Sequence, residues 1–208
     1  MQNTVLSSIL MTSSLSKRLI VIAGPNGSGK SSIIYSSGLS VDFNTIINPD
    51  NYVRGLYSGT SSIEELYKLA MTSCEAMRES LLEQGKSFGF ETVASREDKL
   101  QFVSKAKSLG YFIDFIFVTA GSPEKCCERI QERVKLGGHD VPREKVYSRY
   151  ERTMAFLPKY LELADHASVW DNSGDFPILV ISKSNGTFDV IKEAHSLPWV
   201  NKYLSYLL

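Results

Sequence analysis

The sequence predicts an α/β domain with a mostly parallel central sheet, the three-layer sandwich of P-loop nucleotide-binding proteins. Three observations carry this. Strand-like apolar runs alternate with stretches of helical spacing, the order expected of a parallel sheet with helices on its faces. The run Tyr111–Val118 (YFIDFIFV) is apolar almost throughout, as a strand buried on both faces requires. The first strand, Arg18–Ala23 (RLIVIA), leads at once into a glycine-rich turn ending in Lys30 and Ser31.

The chain's 208 residues suit one domain, placed at 17–208 behind a flexible tail at 1–16. That tail is Ser/Thr-rich and lacks the basic residues that open a secretory signal. Twenty-three Lys and Arg balance 23 Asp and Glu, so charge gives no reason to expect nucleic acid or an anionic membrane as partner. No apolar run approaches the roughly 18 residues needed to span a bilayer. The three cysteines, Cys74, Cys126 and Cys127, are odd in number and lack CxxC spacing. This excludes a disulfide framework and a zinc site and points to a reducing, cytoplasmic compartment.

After the glycine-rich turn a helix is expected from about Gly29, and a short second strand over Thr45–Asn48. Ser61–Gln84 has helical spacing, with Ile63, Leu66, Leu69 and Ala70 on one face. Ser87–Glu91 is a third strand and Gln101–Leu109 lies in a helix. Pro123–Leu136 is a charged helix running into Gly137-Gly138-His139-Asp140-Val141-Pro142, where two glycines and a proline mark a hinge or lid. Helix resumes near Arg143, so the lid spans about 129–152. Val169–Trp170 enters Asp171-Asn172-Ser173-Gly174 as strand then loop. Ile178–Lys183 and Thr187–Ile191 flank Asn185-Gly186, a hairpin pair.

Gly24-Pro25-Asn26-Gly27-Ser28-Gly29-Lys30-Ser31 fits G-x-x-x-x-G-K-S/T in full. The glycines let backbone N–H groups curl around phosphate oxygens, and the following helix aims its positive end at the same anion. Lys30 would reach the β- and γ-phosphates, and the Ser31 hydroxyl would take a position on Mg²⁺. A strand before the motif and a helix after it supply the required context.

Two roles are open to Asp50, in Ile47-Asn48-Pro49-Asp50. At the carboxyl end of a strand it could take the proton of an attacking hydroxyl; equally, Asn-Pro-Asp-Asn could simply turn the chain and cap a helix. Glu91, at the end of the third strand beside Thr92, could orient an acceptor, hold Mg²⁺ through water, or cap a surface. Arg129, Arg133, Arg143, Arg149 and Arg152 bracket the lid glycines. Phosphoryl transfer wants cations where charge builds, whereas Glu128, Glu132 and Glu144 are available to pair with arginines structurally. Two or three functional arginines are expected. His139 belongs to the lid's conformation, and His166 and His195 are too scattered for a metal site.

The chain resembles the zeta-toxin family of P-loop kinases, in its compact single-domain branch. GPNGSGKS (24–31), INPD (47–50), FETVAS (90–95), GGHDVP (137–142) with Arg149-Tyr150, and DNSG (171–174) carry the likeness, over about residues 18–180. The resemblance implies ATP- and Mg²⁺-dependent phosphorylation of a hydroxyl on a UDP-N-acetyl sugar or related metabolite. It implies Lys30 and Ser31 on phosphate and metal, Asp50 as acceptor-activating base, and Glu91 and Thr92 on the acceptor. It further implies Arg129, Arg133 and Arg149 on developing charge, and Asn172 near the adenine. Val93 departs from the family, many of whose members have a second threonine there. Residues 1–16 are too few for a fused antitoxin bundle, so any antitoxin would be a separate protein. A nucleoside, antibiotic or other metabolite as acceptor would use the same residues. A nucleotide-dependent switch or ATPase module is the other class, but no LSGGQ-like segment and no strand ending in Asp-Glu supports it.

Overall fold

The computed structural model describes residues 17–36, 46–56 and 62–208; the expected tail, Thr45 and Ser61 lie outside these. A seven-stranded sheet runs through the molecule in the order β2-β3-β1-β4-β5-β6-β7. Its strands are β1 (Arg18–Ala23), β2 (Ile46–Ile47), β3 (Phe88–Thr92), β4 (Phe112–Thr119), β5 (His166–Asp171), β6 (Ile178–Ser184) and β7 (Thr187–Val190). β1 to β5 are mutually parallel, and β6 and β7 add an antiparallel edge. The hairpin between them turns on Asn185 and Gly186, both at positive φ (50° and 77°), as a two-residue turn of that type requires.

The helices are α1 (Lys30–Ser36), α2 (Pro49–Leu56), α3 (Ile63–Glu83), α4 (Glu97–Ser108), α5 (Pro123–Lys135), α6 (Arg143–Leu163) and α7 (Pro198–Tyr203). Side chains on a strand alternate between faces, and both faces here are apolar. Leu19, Val21, Phe90, Ile113, Phe115 and Phe117 join the larger core, which α4 and α6 cover. Ile22, Ile116, Val118 and Trp170 pack with Ile33 of α1 on the opposite face. α6 contributes Val146, Tyr150, Met154, Leu157 and Leu161 at helical spacing, and Tyr160 stacks on Phe115 at 5.1 Å between ring centres. Truncating a buried aromatic of this kind typically costs about 3–5 kcal/mol.

The expected stripe on α3 needs one correction. Leu66 and Ala70 are buried and the stripe continues through Cys74 and Leu82, whereas Leu69 is 56% exposed. An advance of three residues from Leu66 turns 300°, leaving Leu69 at the margin of a face that the four-residue steps to Ala70 and Cys74 hold more closely. The helix expected to contain Gln101–Leu109 is α4, which starts at Glu97, where Glu97 and Asp98 suit the positive end of a helix. The C-terminal turn Lys192–Ser196 and α7 had no counterpart in the sequence reading. Among the described residues no helix is long and apolar enough to cross a membrane.

Candidate active site

The candidate residues gather because each follows the carboxyl end of a parallel strand. The P-loop follows β1, Asn48 and Asp50 follow β2, Glu91 and Thr92 end β3, and Asn172 follows β5. The crevice at this edge of an open α/β sheet is where ligands bind.

Gly24, Gly27 and Gly29 all have positive φ, at 149°, 77° and 89°, where a side chain would strain the backbone. The loop is also pressed against its neighbours. A Cβ at Gly24 would lie 2.1 Å from the Val118 carbonyl oxygen, and one at Gly27 would lie 2.4 Å from that of Cys126. Ser28 is fully buried, and among the described residues its hydroxyl has no hydrogen-bond partner. Lys30 is buried; its Nζ donates to the carbonyls of Gly24 (3.0 Å) and Pro25 (3.2 Å) and stands 3.7 Å from Glu91 Oε1. A phosphate oxygen would be a stronger partner for the ammonium than neutral carbonyls, because both members of the bond would be charged. These residues fit a polyphosphate. Ser31, exposed in the first turn of α1, offers a hydroxyl beside it. Among the described residues no group of three or more His, Cys, Asp or Glu could hold a metal. Ser31 together with phosphate oxygens would be a donor set that suits a hard cation such as Mg²⁺.

Asn48 joins the Glu91 carboxylate to the backbone of Asp50. Its Nδ2 donates to Glu91 Oε2 (2.8 Å), while its Oδ1 accepts from the Asp50 backbone N–H (2.9 Å) and caps α2. Capping thus belongs to Asn48 and not to Asp50, whose side chain is exposed in the first turn of α2. Thr92 uses its hydroxyl to accept from the Ala94 N–H (3.0 Å), stabilising Ala94 at φ 57°, a conformation a non-glycine residue adopts only when held. α6 provides the hold: Thr153 Oγ1 donates to the Val93 carbonyl (2.8 Å) and Arg152 Nε to that of Ser95 (3.2 Å).

The arginines divide differently from their helical spacing. Arg129 donates to the Ser28 carbonyl (3.4 Å) and Arg149 to Asn26 Oδ1 (3.3 Å), so both reach the P-loop. Arg133, four residues beyond Arg129, instead donates to the His139 carbonyl (2.6 Å) and fastens the Gly-Gly turn. Four residues advance a helix by about 6 Å, which carries Arg133 past the loop even though it shares Arg129's face. Arg129, Arg133, Arg149 and Arg152 form no ion pair among the described residues, so Glu128, Glu132 and Glu144 do not neutralise them. His139 packs its ring against Tyr67 at 5.1 Å. On the far side, Asn172 Nδ2 donates to the Ser28 carbonyl (2.9 Å) and its backbone N–H to that of Thr119 (2.7 Å). Cys126, beside the P-loop, is fully buried, and burial pushes its thiol up to about 12.

The sequence profile of the zeta toxin family matches residues 3–188. The chain belongs to the zeta toxin family. Solved structures agree on its kinase-like fold. A chain of the AvrRxo1-ORF1:AvrRxo1-ORF2 complex with ATP is 18% identical, superposes with a TM-score of 0.74, and is matched over 100% of this chain and 68% of its own length. The sulphate-ion form of that complex gives 18% identity and a TM-score of 0.71, over 94% of this chain and 66% of that one. This chain therefore spans about two thirds of the length of those proteins. The PezAT chromosomal toxin-antitoxin system of Streptococcus pneumoniae gives 17% identity and a TM-score of 0.53, over 85% of this chain and 78% of that one. No curated protein matches the sequence. Membership in the zeta toxin family makes the chain a kinase-like phosphotransferase by family and fold. Asn48 caps α2 as the Asn-Pro-Asp-Asn reading allowed, whereas its bond to Glu91 was not foreseen.

Proposed function

We propose that this zeta toxin family member transfers the γ-phosphate of ATP to a hydroxyl of a phosphate-bearing small molecule, a UDP-N-acetyl sugar or a related metabolite. The observation that carries the proposal is the Lys30–Glu91–Asn48–Asp50 connection, which runs from the P-loop to the backbone N–H of Asp50, a residue whose carboxylate is exposed past the next strand end but one. A hydrolase needs the cradle and a group that places the attacking water. A kinase needs the cradle and an acid on the acceptor side, and Asp50 and Glu91 both stand there.

In this reading the P-loop N–H groups, Lys30, Arg129 and Arg149 bind the polyphosphate, and Asn172 lies on its nucleoside side. Mg²⁺, held with the help of Ser31, would withdraw charge from the phosphate oxygens. Asp50 accepts the proton of the acceptor hydroxyl as that oxygen forms a bond to the γ-phosphorus, while the bond to the β–γ bridging oxygen breaks and ADP leaves. Glu91 and Thr92 position the acceptor. The 129–152 segment acts as a lid, from which Arg129 and Arg149 bring positive charge to the P-loop. A separate antitoxin protein and a cytoplasmic site of action accord with this reading.

The test is ADP release measured with and without a panel of UDP-sugars, nucleosides and aminoglycoside-type alcohols. Release that depends on a UDP-sugar supports the proposal, and release that depends on a nucleoside or antibiotic moves the acceptor assignment. Turnover that no acceptor changes would overturn it in favour of a switch or ATPase.

A further inference from the structure

The family match ends at residue 188, yet the chain continues through the turn Lys192–Ser196 into α7. Pro198 opens α7, where its missing N–H costs nothing, and Trp199 follows it into the interior at 4% exposure. The indole Nε1 of Trp199 donates to Asp171 Oδ2 at 2.6 Å. Asp171, the last residue of β5, is 1% exposed, and its other oxygen accepts from the Ser173 N–H (2.8 Å) and hydroxyl (2.5 Å). Neutral donors thus hold a buried carboxylate, and one of them comes from beyond the family-matched region.

Asn172 follows Asp171 directly and donates to the Ser28 carbonyl. The contact has no slack: a Cβ at Gly29 would lie 2.3 Å from Asn172 Nδ2. Lys125 also donates to the Ser173 carbonyl, so the turn is held from α5 as well. Trp199, Asp171, Asn172 and Ser28 form an unbroken path from the C-terminal segment to the P-loop. A buried carboxylate that loses a donor must recover it elsewhere, because water cannot replace it cheaply. The turn that would have to move is the one carrying Asn172.

We propose that Trp199 is a positioning residue for nucleotide binding, its indole N–H fixing Asp171 so that Asn172 is set against the P-loop. This rests on the 171–174 turn lying on the nucleotide side, as proposed above. Trp199→Phe keeps an aromatic ring in the same space and removes only the donor. Val200→Ala, a buried neighbour on α7 whose side chain has no polar atom to offer Asp171, is the packing control. Calorimetric titration with ADP, beside a thermal melt of each protein, reads the two effects separately. Trp199→Phe should weaken ADP binding about 10-fold, the scale of one hydrogen bond to a charged group. Val200→Ala should lower the melting temperature and leave ADP affinity within twofold. In Trp170→Phe, which leaves Trp199 as the one remaining tryptophan of the two in the chain, saturating ADP should change the indole emission. ADP affinity within twofold of the unmodified protein in Trp199→Phe overturns the proposal, as does an equal loss of affinity in Val200→Ala. If Trp199→Phe does not fold, emission that ignores ADP in Trp170→Phe overturns it instead. An unmodified protein that does not bind ADP at all removes both the kinase reading and this inference, whereas normal binding with an inert Trp199 removes the inference alone.

Discussion

Lys30 Nζ stands 3.7 Å from Glu91 Oε1, so the P-loop cation and the β3 carboxylate share one electrostatic neighbourhood. Lys30 is buried and Glu91 half-buried. The pairing joins the nucleotide side of the crevice to its acceptor side. On the proposed function, a phosphate entering the cradle would compete with Glu91 for Lys30 and release Glu91 toward the acceptor.

That competition has an expected outcome. Glu91→Gln leaves an amide oxygen for Asn48 but removes the charge that opposes phosphate at Lys30. ADP binding should tighten by about 3-fold, and acceptor phosphorylation should fall by at least roughly 10-fold. Lys30→Ala should behave oppositely on the first count, weakening ATP binding and abolishing transfer, since the phosphate loses its charged partner. Nucleotide titration and acceptor-dependent ADP release on both variants check the pair. Equal nucleotide affinity in all three proteins would mean that Lys30 and Glu91 do not meet the phosphate.

The arginines are separable by the same assay. Arg149 reaches Asn26 of the P-loop, and Arg149→Ala should lower kcat about 10–100-fold with a smaller rise in the KM for ATP, because the cation is wanted most where charge develops. Arg133 fastens the His139 carbonyl, and Arg133→Ala should cost less than about 5-fold in kcat and increase protease cutting at Gly137-Gly138. Equal losses of kcat in both would place Arg133 on the phosphates during turnover.

The sheet was legible because its signals are local. Arg18–Ala23 stands at the limits the sequence suggests, and the Asn185-Gly186 turn joins the strands expected on either side. The P-loop was legible for the same reason, its glycines being demanded by backbone angles that few residues tolerate. What failed to show was contact between distant segments. Nothing in Asn48 announces Glu91, 43 residues away, and nothing in Trp199 announces Asp171, 28 residues away. The arginine spacing told which residues share a helix face, yet the length of the lever decided that Arg129 meets the P-loop and Arg133 does not.

Asn48 offers a test of whether the acceptor carboxylates are arranged or merely adjacent. Asn48→Ala loses the cap of α2, at a cost of about 1 kcal/mol, together with the donor to Glu91. Asn48→Asp restores the cap and sets a second carboxylate against Glu91 where the amide stood at 2.8 Å. Thermal melts should show Asn48→Asp nearer to the unmodified protein than Asn48→Ala. Acceptor phosphorylation at neutral pH should be down at least roughly 10-fold in both, since like charges so close displace each other or bind a proton. Full activity in Asn48→Asp would show that Glu91 needs no placing.

Asp50 is the assignment on which the chemistry turns. The Asn-Pro-Asp-Asn segment does cap α2, through Asn48 Oδ1 and the Asp50 N–H, and the Asp50 carboxylate takes no part in that cap and is exposed at the carboxyl edge of the sheet. An acid in the first turn of a helix also gains from the helix dipole, an exposed effect worth about 0.3–1 kcal/mol. Asp50→Asn forfeits that modest sum while keeping shape and the capping bond, which uses the backbone. It forfeits the proton acceptor entirely, and a positioned base contributes about 10²–10⁴-fold in rate. The variant should therefore fold, bind ADP with near-normal affinity, and lose at least roughly 100-fold in acceptor phosphorylation. A melting temperature, an ADP titration and acceptor-dependent ADP release on one preparation give all three. Catalysis at the unmodified rate in a folded Asp50→Asn protein would take the base away from Asp50. It would pass the role to Glu91, the other acid at a strand end, whose bond from Asn48 and contact with Lys30 already occupy its two oxygens.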